Sequence, residues 1–235
     1  LGWPAPGGYA GVKESHMHAN VFGFVGLVAA AVLLELIPAR VGRPLRFPRL
    51  VPWTSSLLTI GGVGLSAGPW LALMPLTVLG LVTYIVGSAT LLANLVGTVL
   101  GYRAWTPNLA HVLAAYVWMF VPFVVAPTVL ITTGELPSGA VEAAAVTSFI
   151  GGWLLQIVIG AFLARAPAGA AGTPNGEGSW FAVTVLNLGV AVTWAGAFVP
   201  TAVWAPVTAL GYGLVVIGWL PPLGAVLHWL SSIER

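Results

Sequence analysis

The chain has 235 residues, of which 58% are hydrophobic and 6% charged, with a net charge of +2 and no Cys. Soluble proteins carry about 25% charged residues, so this composition excludes a water-soluble globular domain and leaves lipid as the solvent. Eight Lys and Arg in the whole chain are too few for a nucleic-acid surface. The lack of Cys excludes disulfides, thiolate metal sites, iron–sulfur clusters and thiol nucleophiles.

The expectation is an all-α fold, a polytopic membrane helix bundle forming a single transmembrane domain over residues 1–235, in a prokaryotic plasma membrane. The opening LGWPAPGGYAGVKESHMH lacks the pattern of a signal peptide. At about 20 residues per span, the apolar runs predict seven transmembrane helices. The first covers 15–38 and is closed by the loop ARVGRPLRFPRL; the second covers 53–73, where Met74-Pro75 breaks the pattern. The third covers 76–102, the fourth 108–132, the fifth 138–165, the sixth 179–203 and the seventh 207–231. PAGAAGTPNGEGS is the longest flexible loop. Pro122, Pro127, Pro200, Pro221 and Pro222 predict kinks or breaks, and Gly97 with Gly101 predicts close helix packing. No internal repeat stands out.

Seven spans place Arg40, Arg43, Arg46, Arg49, Arg103, Arg165 and Arg235 on one side and Lys13 on the other. Cytoplasmic loops are enriched in Lys and Arg. The N-terminus is therefore expected outside and the C-terminus in the cytoplasm.

Ionisable residues at membrane depth are functional candidates. Lys13 is the only lysine and lies outside the spans, which excludes an intramembrane Schiff base. The candidates for cofactor and metal ligation are the four histidines. His16 and His18 stand at the outer end of the first helix, whereas His111 and His228 stand near the inner ends of the fourth and seventh. Two sites at most can result. Two residues apart on an α-helix is about 200° of rotation, so His16 and His18 face different centres.

The string SHMHANVFGFVGLV resembles a helix of the heme-copper oxidase catalytic subunit, which carries an HxH near its outer end with one His for each of two hemes. The resemblance implies a b-type heme, with His16 on a high-spin and His18 on a low-spin heme. It implies a role in respiratory electron transfer or in handling oxygen or nitric oxide, a redox partner and, in an enzyme, oxidoreductase activity. The family's copper-binding elements, an adjacent His-His pair and HxxxY, are missing here. The implied protein is a reduced relative of that subunit.

Other readings of the same residues stay open. Copper would need Glu14, His16 and His18, with Met17, to converge from an unwound helix start. His16 and His18 can instead anchor a helix end, with Glu14 pairing His18 four residues on. His111 and His228 would clamp a heme bis-axially if the fourth and seventh helices are neighbours, or else snorkel to the interface. Glu35 is expected to pair with Arg40 or else to serve as a proton donor, and Glu142 to be interfacial. Tyr84, Asn94, Tyr116, Gln156 and Asn187 are expected to bond across helices. Trp3, Trp53, Trp70, Trp105, Trp180 and Trp229 suit an aromatic belt; Trp118, Trp153, Trp194 and Trp219 suit a core or a cofactor wall. The alternative functions are a non-catalytic subunit or assembly module of a larger membrane complex or homo-oligomer, and a small-solute transporter lined by Asn94, Gln156 and Asn187.

Overall fold

The apolar runs fold as helices. The computed structural model describes residues 5–101, 105–133, 138–165 and 178–233, and these residues contain no strand. Helix α1 is Gly8–Val41, α2 is Pro48–Trp70 and α3 is Met74–Gly101. Helix α4 is Pro107–Thr133; α5 runs from Gly139–Thr147 through a π-turn at Ser148–Leu154 to Leu155–Arg165; α6 is Trp180–Gly196 and α7 is Thr201–Ile233. Every described helix except α6, which has 17 residues, contains a stretch long and apolar enough to cross a membrane. The chain is a multi-pass membrane protein, helical throughout its regular structure and with six such helices among the described residues. It divides into two compact units, Leu1–Ala104 and Trp105–Arg235.

The first unit is built on the hairpin of α2 and α3. A β-carbon added to Gly61 would lie 2.5 Å from the Tyr84 nitrogen, and one on Gly80 would lie 2.5 Å from the Leu65 nitrogen. At Gly87 it would lie 2.9 Å from the Leu58 nitrogen, and Gly68 is pressed against Thr77 in the same way. No side chain fits between these backbones. Apolar side chains gain little from one another in lipid, so close van der Waals approach of small residues is what joins the helices. Thr54 and Thr90 add a hydroxyl pair at 2.9 Å across the same contact. The turn between the helices is tight, with Ala72 at φ 55° and the Leu73 amide donating to the Gly68 carbonyl at 2.8 Å.

Helix α1 lies against α2 and starts at Gly8, two turns before the expected Ser15. Gly7 and Gly11 explain the extension: both sit against the Pro69 carbonyl, and the Gly7 amide donates to the Trp70 carbonyl at 3.0 Å. Over Ala19–Val25 the helix widens into a π-turn. There Phe22 meets the Tyr84 ring at 5.1 Å, and Gly26 leaves room for the Tyr84 hydroxyl. Gly42 closes α1 in the left-handed conformation at φ 67°, with the Arg43 amide donating to the Pro38 carbonyl at 3.1 Å.

The arginine loop that follows is tied to α3. Asn94 accepts from the Phe47 amide and donates to the Phe47 carbonyl, both at 3.0 Å, while Thr98 accepts from the Arg46 amide at 2.9 Å. Gly97 seats the Phe47 ring. Asn94 and Gly97 therefore hold a loop rather than a neighbouring helix, which corrects the expectation for both.

The second unit contains a matching hairpin of α6 and α7. A β-carbon on Gly189 would lie 2.6 Å from the Val215 nitrogen, on Gly211 2.8 Å from the Thr193 nitrogen, and on Gly218 2.7 Å from the Leu186 nitrogen. Helix α6 ends at Gly196, short of the expected Val203, because the backbone turns through Ala197–Pro200; α7 then starts six residues before the expected Val207. Helices α4 and α7 run unbroken through Pro122 and Pro127 and through Pro221 and Pro222. Of the prolines named above, only Pro200 marks a break. Val141, Ala144, Ile159, Leu186, Val190 and Trp194 form the core of this unit, with Trp118 and Trp219 packed against it.

Substituting Gly61→Leu or Gly189→Leu is expected to cost about 2–3 kcal/mol through overpacking against backbone, read as a lowered thermal midpoint of the detergent-solubilised protein. Gly213→Ala, where nothing lies within 4 Å, is expected to leave the midpoint unchanged or raise it.

Candidate functional site

Pro69 creates the site at His18. It sits four residues after Leu65 in α2 and has no backbone N–H, so the Leu65 carbonyl has no helical donor at that position. His18 supplies one: its Nδ1 lies 2.9 Å from that carbonyl oxygen. A carbonyl can only accept, so Nδ1 carries the proton. In the neutral ring Nε2 then carries the lone pair. Nε2 is 3.9 Å from a Glu14 carboxylate oxygen, and the imidazole lies 5.5 Å from the Phe22 ring. The expected Glu14–His18 pairing is present alongside a bond that the i,i+4 spacing does not show.

His16 is exposed on another face of α1. The Asn20 amide nitrogen lies 3.2 and 3.4 Å from its two ring nitrogens and donates to the His16 carbonyl at 2.8 Å. Because α1 is helical from Gly8, the two imidazoles diverge, as the 200° spacing requires. The unwound start that would bring Glu14, His16 and His18 onto one copper ion is not formed. Among the described residues no three His or Glu side chains gather as a metal-ligating group.

A second polar cluster lies within the Trp105–Arg235 unit. His111 on α4 is 1% exposed, and its Nδ1 donates to the Gln156 side-chain oxygen at 2.9 Å. Gln156 donates to Asn187 at 3.1 Å, Asn187 donates back at 3.2 Å, and the Trp118 indole donates to the Asn187 oxygen at 2.5 Å. The remaining amide protons go to the Gly152 carbonyl at 2.7 Å and the Val183 carbonyl at 2.6 Å. Gln156 and Asn187 bond across helices as expected. His111 does not snorkel: it is sealed between helices, and its buried Nε2 has no hydrogen-bond partner among the described residues.

His228 has a different setting. It is exposed on α7, and its carbonyl accepts from the Ser231 hydroxyl at 2.8 Å. Helix α7 packs chiefly along α6, while α4 packs chiefly along α5. The helix pairing therefore does not set His111 and His228 on facing helices in the way a bis-axial clamp requires.

Glu35 is exposed and makes no ion pair with Arg40. Five residues along a helix is about 140° of rotation, which turns the two side chains apart. Trp53, Trp70, Trp105 and Trp180 are exposed in the manner of an interfacial belt, with Trp105 and Trp180 stacked at 6.3 Å, whereas Trp153 is 1% exposed. Trp194 donates from its indole to the Ser148 hydroxyl inside the second unit. Trp3, Tyr102, Arg103, Arg235 and most of the loop after Arg165 lie outside the described residues. Sequence reasoning passed over Pro69. The signal available was a proline inside a span, which leaves a carbonyl four residues earlier in need of a donor.

No family model, curated protein or solved structure matches the chain.

Replacing Gln156 by Leu strands His111 Nδ1 and an Asn187 amide proton. It is expected to cost about 1–3 kcal/mol, seen as a lowered thermal midpoint. Adding His111→Leu removes one of the stranded groups, so the double variant is expected to be more stable than the sum of the single losses, with a coupling of about 0.5–3 kcal/mol.

Proposed function

We propose that the chain is an integral heme-binding protein of the cell membrane, similar to a reduced heme-copper oxidase catalytic subunit, serving respiratory electron transfer or the handling of oxygen or nitric oxide. The observation that carries this reading is the contact of His18 Nδ1 with the Leu65 carbonyl oxygen at 2.9 Å. The Leu65 carbonyl holds the proton on Nδ1 and leaves Nε2 as the donor nitrogen. A hydrogen bond to the other ring nitrogen fixes the orientation and raises the basicity of a ligating imidazole. In this reading His16, exposed on another face of the same helix, would serve a second centre. The residues fit an axial ligand from His18, beside the flat ring of Phe22. A bound heme iron would supply one-electron redox chemistry or gas binding, while the chain supplies orientation and an apolar surround.

The same proposal sets seven spans with the N-terminus outside. Helix α6, at 17 residues, is at the lower limit of spanning length. Counting it keeps the arginine loop after α1 and the positions of Arg103 and Arg165 on the cytoplasmic side. Redox partner, heme type and oxidoreductase activity belong to this reading.

A second reading, a membrane subunit of a larger complex, is favoured by an open apolar groove on the first unit, between α1 and α2.

The test is the reduced-minus-oxidised visible spectrum of the purified protein with iron and copper analysis. Stoichiometric iron with sharp α and β bands is the expected result, and a colourless, metal-free protein overturns the proposal. His18→Ala is expected to remove most of the heme and His228→Ala to leave the outer site intact. Heme content in His18→Ala equal to that of the parent would sink the assignment of His18.

A further inference from the structure

The two hairpins share more than a style of packing. Pro75, Thr77, Leu79, Gly80 and Gly87 of α3 align without a gap against Pro206, Thr208, Leu210, Gly211 and Gly218 of α7. Leu58, Gly61, Ala67 and Gly68 of α2 align in the same way against Leu186, Gly189, Ala195 and Gly196 of α6. Contacts follow the alignment. Gly61 abuts the Tyr84 nitrogen and Gly189 the Val215 nitrogen; Gly80 abuts Leu65 and Gly211 abuts Thr193. Gly87 abuts Leu58 and Gly218 abuts Leu186, while Gly68 and Gly196 each face a threonine hydroxyl, Thr77 and Thr208.

The preceding helices correspond as well. The π-turns at Ala19–Val25 and Ser148–Leu154 have the same length, and with them in register Gly23 falls on Gly152 and Pro38 on Pro167. Helices α1–α3 and α5–α7 therefore share one three-helix packing pattern. The apolar pattern of the sequence does not make this correspondence stand out. Helix α4 stands outside the repeat, immediately before the second copy.

In the second copy, the channel between its first two helices is filled. Trp118 of α4 lies on Gly152, where an added β-carbon would be 2.6 Å from the Trp118 β-carbon, and its indole bonds to Asn187. Trp194 closes the rest, and Ser148, Gly152, Gln156 and Val190 are buried. In the first copy, the equivalent channel is an open groove of about 550 Å³ lined by Ala19, Gly23, Thr59, Gly62 and Ser66 among others. Gly23 stands where Gly152 carries Trp118, Thr59 where Asn187 does, and the smaller Ser66 where Trp194 closes the channel.

We propose that the groove between α1 and α2 is the seat of a further membrane helix of α4's character, supplied by a partner polypeptide and bearing an aromatic side chain over Gly23. The argument is the occupied twin. The same module, with the same π-turn and the same glycine, takes a helix with a tryptophan at that point in the Trp105–Arg235 unit. The α4 of a second copy is not the occupant, because its Trp118 face is committed to its own module. The proposal stands independently of heme binding.

The test uses the full chain in phosphatidylcholine vesicles with a synthetic peptide of residues 107–133 as the probe. The chain has no Cys, so Val82→Cys, exposed on α3, carries the only thiol for a fluorescent donor, and the peptide carries the acceptor. Saturable energy transfer is expected, weakened at least tenfold by Trp118→Ala in the peptide. Thr59→Trp, which fills the groove from an exposed position, is expected to abolish transfer while leaving the thermal midpoint unchanged. If Thr59→Trp unfolds the chain, Ser66→Trp repeats the test with the residue that the second copy already accommodates. Non-saturable transfer, or equal transfer in the filled and open chains, overturns the proposal. Two other outcomes also overturn it: disulfide-linked homodimers of Thr59→Cys, which assign the groove to a second copy, and spin-labelled lipid held at the groove in the presence of saturating peptide, which assigns it to an acyl chain.

Discussion

Everything in each unit hangs on how closely two antiparallel helices approach. In water, burial of apolar surface would drive α2 onto α3 and α6 onto α7, but in lipid an apolar side chain finds the same surroundings on either side of the contact. What distinguishes the paired state is the density of van der Waals contact, which grows as backbones close. The glycine stripes at Gly61, Gly80 and Gly87, and at Gly189, Gly211 and Gly218, remove every atom that would hold the helices apart. Helices α1 and α5 then each pack on a hairpin whose shape is already set. Backbone hydrogen bonding is satisfied within each helix, which lets so little polar chemistry suffice.

That economy makes the exceptions informative. Two polar arrangements break the symmetry of the repeat, and each has its own covalent cause. In the first module Pro69 withholds a donor and His18 replaces it; the aligned positions in the second module are Ala197 and Thr147, so proline and histidine are absent together. In the second module Gln156 and Asn187 bind Trp118 and His111, and their counterparts in the first are Leu27 and Thr59. The common residues build the scaffold, and the differing ones carry the polar chemistry.

Much of the fold was legible in the sequence. Apolar run length located every helix, because a lipid-spanning segment must satisfy its own backbone and has no other regular option. Ends were less legible. The start of α1 depends on Gly7 and Gly11 meeting the end of α2, and the end of α6 depends on a turn before Pro200; both are tertiary events. The Glu14–His18 pair followed from helical spacing, whereas the His18–Leu65 bond joins residues 47 apart and left only Pro69 as a trace. The repeat was hidden for a related reason. Its identities are sparse, and the glycines among them are scattered through a chain with 30 of them, so only the contacts show which glycines are equivalent.

The order in which the helices leave the ribosome follows from the same hairpins. Each glycine-paired couple is contiguous in sequence and joined by a turn of a few residues, so its partners emerge together and close with little loss of chain entropy. Helix α1, by contrast, is synthesised before the surface it needs, since Gly7 and Gly11 rest on the far end of α2. It must wait in the bilayer until Pro69 and Trp70 have arrived. His18 acquires its proton-fixing partner at that moment and not before, so the His18 site is completed by assembly of the unit rather than by insertion of the helix that bears it.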